Sequence, residues 1–101
     1  MHTRVTDNTA ASRYEIFADD QLAGFVEYHR YKDEIAFLHT EIGHAFAGRG
    51  LGTVLVRAVL AAAREEGLGV LPYCPFVRGW ILRHPAETEL VPEAERARFG
   101  L

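Results

Sequence analysis

The segment that most constrains this chain is Phe46-Ala47-Gly48-Arg49-Gly50-Leu51-Gly52-Thr53. It lies between a strand-like stretch, Glu34–Ile42, and a helix-like stretch, Leu51–Glu66. Alternating glycines at a strand-to-helix turn let the backbone approach a ligand closely. A helix N-terminus leaves N–H groups without helical acceptors, and those groups together with the helix dipole favour an anion, most often a phosphate. The pattern predicts a phosphorylated ligand. Taken alone it is equally compatible with a flexible turn and a glycine-assisted cap.

The other phosphate-binding motifs fit poorly. A P-loop requires Gly-Lys-Ser/Thr after four variable residues, and that is absent. The dinucleotide fingerprint places its third glycine one residue later than Gly52, and a doubly wound sheet needs more strands than 101 residues hold.

The rest of the chain predicts one α+β domain. Arg13–Ala18, Leu22–Tyr31 and Ile35–Ile42 read as strands separated by Asp19-Asp20-Gln21 and Lys32-Asp33-Glu34, which implies a three-stranded antiparallel meander. Leu51, Val54, Leu55, Ala58, Val59 and Ala62 recur at helical spacing, and Gly67 is placed to cap that helix. Gly69–Tyr73 reads as a short strand, parallel to Ile35–Ile42 through the crossover helix. Pro75 opens a second helix over Pro75–Arg83 and Pro85 stops it, with His84 closing the helix end. Residues 1–12 read as a flexible lead-in to a single domain over 13–101, and Pro92–Phe99 as a short helix in the tail.

Composition narrows the partners. A net charge of -3 argues against nucleic acid held by phosphate neutralisation. One cysteine, Cys74, excludes an internal disulfide and a cysteine-rich zinc site, and the five histidines lack metal-binding spacing. No apolar run approaches the ~20 residues of a membrane helix, and Met1–Ser12 has no signal-peptide core; a cytoplasmic protein is the expectation.

Order and motif together resemble the acyl-CoA-binding half of the GNAT superfamily of N-acetyltransferases. That family carries Gln/Arg-x-x-Gly-x-Gly/Ala at the turn; here the window is Ala47-Gly48-Arg49-Gly50-Leu51-Gly52, so Ala47 departs from the pattern and Arg49 is a candidate replacement. His39-Thr40-Glu41-Ile42, the glycine turn, Pro72-Tyr73-Cys74-Pro75-Phe76-Val77 and Arg83-His84-Pro85 are similar to the minimal single-domain branch with a Cys-Pro-Phe/Tyr motif. The resemblance runs from Arg13 to about Pro85.

It implies a minimal GNAT-like fold that binds acetyl-CoA and passes its acetyl group to an amine of a small molecule or a protein. The alternative is a non-catalytic coenzyme A-binding sensor or interaction module. The amides of Arg49, Gly50, Leu51, Gly52 and Thr53 would hold the pyrophosphate. Arg78 and Arg83 either reach the 3′-phosphate or are simply solvated. Cys74, at the N-cap of the second helix, would lie beside the pantetheine arm, either as an acyl-accepting nucleophile or as a small pocket-lining side chain. His39 and Glu41 alternate onto one face of the third strand, together with Phe37 and Ile35 and opposite Thr40 and Leu38; either is a candidate general base. Trp80, Tyr14, Phe17, Phe25 and Phe37 read as core.

Overall fold

A computed structural model describes all 101 residues. Its sheet has five strands in the order β1-β2-β3-β4-β5: β1 Thr3–Asn8, β2 Arg13–Ala18, β3 Gln21–Arg30, β4 Glu34–Ile42 and β5 Gly69–Pro72. The first four pair antiparallel, and β5 runs parallel to β4. Helix α1, Leu51–Glu66, makes the crossover, and α2, Pro75–Arg83, follows β5. These are the helices expected from the 3.6-residue period, with Gly67 as the left-handed cap of α1 (φ 70°) and Pro75 in the first turn of α2.

Three expectations need correction. The N-terminal segment is not a loose lead-in: Thr3–Asn8 is a strand in full register with β2, from Thr3 opposite Ala18 to Asn8 opposite Arg13. It is a half-buried edge strand rich in Thr, Asp and Asn, so it gives little hydrophobic periodicity. The tail holds no α-helix; Pro85–Leu90, Glu93–Glu95 and Ala97–Phe99 are 3₁₀ turns. The tail still packs, with Pro92 against Gly69 at the start of β5 and Phe99 edge-on to Tyr73 just after its end.

The third correction decides which side chains share a face. Glu27 pairs with His39 but Tyr28 pairs with Phe37, so Leu38 is an extra residue in β4. A bulge puts two neighbours on the same side and reverses the alternation beyond it. Phe37 therefore points with Tyr28 into the core, and so does Thr40, opposite Val26, whereas His39 and Glu41 point to the other face with Glu27 and Phe25. Phe25 and Phe17 are only half-buried there, beneath the guanidinium groups of Arg13 and Arg4.

The core lies between the sheet and α1. Ile16, Val26, Ile35 and Phe37 meet Leu55, Val56, Val59, Leu60 and Ala63. The buried helix stripe is turned from the expected one, leaving Val54 exposed. At the C-terminal end of α1, Arg30 donates to Glu66 (3.1 Å), Asp7 (3.0 Å) and the Tyr14 hydroxyl (3.2 Å), and Tyr28 donates to Asp7. One guanidinium thus ties β1, β2, β3 and α1 together.

Candidate active site

The opposite end of α1 is open. Gly48 and Gly50 are left-handed (φ 79° and 74°), a conformation costly for residues with a Cβ, and they bring the chain from the His44–Phe46 turn into the helix. No side chain caps α1; Val54 is the first residue whose N–H bonds back to Gly50, at 3.3 Å. The N–H groups of Leu51, Gly52 and Thr53 precede that bond and lie on a groove of about 330 Å³ lined also by Ile42, Phe46, Ala47 and Phe76. Gly52 has a further role. A Cβ there would sit 2.8 Å from the Phe76 ring, so the glycine lets the start of α2 close on the start of α1.

Beside this groove the sheet splits. The β4–β5 ladder ends at Phe37 opposite Pro72, and the N–H of Cys74 bonds to the carbonyl of Phe37 as a last link (2.8 Å). From Leu38 onward β4 has no partner on that side. Cys74 closes the fork: its side chain is 2% exposed, and Sγ lies 3.0 Å from the Thr40 hydroxyl. Thr40 is the functional candidate that sequence reasoning missed, because the bulge that turns it toward Cys74 leaves no signature in the sequence.

On the other face of β4, His39 Nε2 and Glu41 Oε2 are 3.4 Å apart and both side chains are more than half exposed. His39 also packs its ring against Phe25. The structure thus makes two pairs out of the predicted residues: Cys74 with Thr40 in the fork, and His39 with Glu41 on the open face. Arg49 stands between two lining glycines, Gly48 and Gly50, with its guanidinium over the Phe46 ring, though it does not itself line the groove. Arg83 is exposed in the last turn of α2, folded back over Gly79 and outside the groove lining. His84 closes α2 as expected, stacked on Trp80 with Nδ1 2.8 Å from the Trp80 carbonyl.

Residues 13–90 match the family model of the GCN5-related N-acetyl-transferases. The chain belongs to that family. The GCN5-related N-acetyltransferase match contains the meander from β2 onward, the glycine turn, the fork and α2, and it makes this protein an acetyltransferase. The fold is shared with a GCN5-like protein from Staphylococcus aureus proposed to be an N-acetyltransferase. That structure is 20% identical with a TM-score of 0.67, covering 88% of this chain and 87% of its own. Ard1 from Thermoplasma volcanium is 24% identical with a TM-score of 0.50, over 56% of this chain and 39% of its own. No curated protein matches the sequence. No helix is long and apolar enough to cross a membrane.

Proposed function

We propose that this GCN5-related N-acetyltransferase uses acetyl-CoA as donor and that the glycine groove and the β4–β5 fork form the donor site. The observation that carries this reading is the uncapped start of α1, framed by two left-handed glycines and opening beside the fork. The amides of Leu51, Gly52 and Thr53 suit a pyrophosphate, because they offer several donors at the positive end of a sixteen-residue helix. Arg49 supplies a cation beside the glycine turn, in place of the longer side chain that Ala47 lacks. The thioester belongs at the mouth of the fork, with the Thr40–Cys74 contact that closes it as the inner wall.

Acetyl-CoA supplies an activated acyl group. The acceptor nitrogen attacks the thioester carbonyl, a C–N bond forms as the C–S bond breaks, the nitrogen loses its proton and the departing thiolate gains one. Glu41 and His39 are the proton acceptors on the open face, acting directly or through a water. The acceptor is an amine of a small molecule or a protein.

The test is thermal. A ligand that binds only the folded state raises its melting temperature. Coenzyme A is expected to raise it and pantetheine, which lacks the pyrophosphate, to do far less. Gly50→Val should remove the coenzyme A shift, since the left-handed conformation costs an L-residue roughly 1–2 kcal/mol and the turn will relax. Nothing stands within 4 Å of a Cβ at Gly50, so backbone strain is the operative effect. Equal shifts from coenzyme A and pantetheine would overturn the assignment.

A further inference from the structure

A second groove, of about 500 Å³, adjoins the glycine groove and shares Ile42 and Ala47 with it. It lies at the C-terminal end of β4, where β3 and β4 meet. Leu22, Ala23, Phe25, Ile42 and Ala47 give it an apolar lining, and Glu41 is its only carboxylate. It contains no Lys or Arg; His44 is the only other titratable side chain in the lining. Its shape depends on a missing side chain: a Cβ on Gly24 would sit 2.4 Å from the Glu41 carbonyl and 2.7 Å from the Ile42 side chain, forcing β4 away. β4 is unpaired on the β5 side beyond Phe37, so Glu41 stands one residue from Thr40 with open sheet edge between the two faces.

We propose that this groove is the acceptor site and that it takes a primary amine on an unbranched aliphatic stem with no anionic group near the nitrogen. This deepens the reading of the donor site and rests on it. The nitrogen pairs with Glu41, and the stem lies along Leu22, Ala23 and Ile42. A carboxylate next to the amine would face Glu41 with no arginine or lysine in the lining to neutralise it, the Arg13 guanidinium over Phe25 being already paired with Glu15, so like charges disfavour free amino acids. The apolar wall favours longer stems, since each buried methylene contributes about 0.8 kcal/mol, near fourfold in affinity. A free alkylamine and a lysine side chain present the same chemistry.

The experiment compares acceptors with acetyl-CoA as donor. Propylamine is expected to exceed β-alanine at least tenfold in kcat/KM, and pentylamine to exceed ethylamine by a similar factor. Nα-acetyl-lysine amide separates the sources: turnover near that of pentylamine points to a polypeptide acceptor, and its rejection beside good pentylamine turnover points to a small amine. Either result keeps the groove's chemistry. Leu22→Arg, on a side chain 45% exposed at the groove, should raise KM for pentylamine about tenfold and leave KM for acetyl-CoA unchanged. β-Alanine matching propylamine, or a Leu22→Arg enzyme with unaltered KM for pentylamine, would overturn the proposal. If coenzyme A shifts the melting temperature yet no alkylamine is acetylated, this inference alone fails. If coenzyme A gives no shift, the donor site fails first.

Discussion

Strand β4 and helix α1 each have a closed end and an open end. Where β4 begins and α1 finishes, Arg30 reaches Glu66, Asp7 and Tyr14, Gly67 caps the helix, and Ile35 and Phe37 are within 1% of full burial. Where β4 finishes and α1 begins, the ladder to β5 has ended, the helix has no side-chain cap and two glycines are left-handed. The same two elements therefore provide stability at one end and unsatisfied hydrogen-bonding groups at the other. Orphan amides are a cost to folding unless water or a ligand meets them. An end that keeps them draws its stability from the rest of the fold, and the Arg30 network is one such source, far along α1 from the glycine turn.

The strongest way to break this division is Arg30→Ala. It leaves the Tyr14 hydroxyl without a donor, leaves the Asp7 carboxylate with Tyr28 alone and frees Glu66 from the sheet. A loss of about 2 kcal/mol is expected, lowering the melting temperature of a domain this size by roughly 10 °C. The shift produced by coenzyme A should stay as large as in the parent protein. A variant that melts normally, or one that stays folded but loses the coenzyme A shift, would show that the two ends are not separable.

How far this arrangement was legible in the sequence depended on how local its causes are. The helices follow from periodicity, Gly67, Pro75 and Pro85, all of which act within one turn. The glycine turn was legible because left-handed backbone nearly requires glycine. β1 was not, because an edge strand of Thr, Asp and Asn owes its order to partners that arrive later, Ile16 beside it and the side chains of Tyr28 and Arg30. The bulge at Leu38 was not either, and it placed Thr40 in the fork and left His39 and Glu41 facing solvent. The Cys74–Thr40 contact joins residues 34 positions apart, and Gly52 is matched to Phe76 across two helices. Pairings of that kind belong to the tertiary structure.

A smaller effect tests the closed end through pH. Burial, then the hydrogen bond to the Asp7 carboxylate, push the Tyr28 phenol above its ordinary value of 10.0; burial and the Asp7 charge do the same to Tyr14. A raised folded-state value means that the neutral phenols contribute stability in full below about pH 10, and that it is lost as pH rises through the folded value. Tyr28→Phe should cost about 1–2 kcal/mol at neutral pH and flatten the alkaline loss of stability. Melting curves between neutrality and pH 11 would show both. A variant whose alkaline slope equals that of the parent would remove Tyr28 from the network's energetics.

The smallest expected change is at the open end, in Cys74→Ser. A covalent relay through Cys74 would need a thiolate and a group to take its proton. Thr40 is the only side chain hydrogen-bonded to Sγ, and a hydroxyl is a poor base. The bulge turns His39 and Glu41, the two candidate bases, to the other face of β4. The thiol is also 2% exposed, shut between β4 and α2. These features suit a wall of the thioester site and direct transfer to the amine. Serine keeps the hydrogen bond to Thr40 in nearly the same volume, so Cys74→Ser should retain activity within a few-fold, and Cys74→Ala should still turn over. A relay would lose on the order of 10³-fold or more with the thiol. Mass spectrometry of the Cys74 peptide after incubation with acetyl-CoA supplies an independent readout, and no hydroxylamine-labile acetyl group is expected. A folded, coenzyme A-binding Cys74→Ala protein without activity, or an acetyl thioester on Cys74, would make the buried thiol a participant and bring chemistry to the core side of β4 that the open face of the sheet otherwise holds.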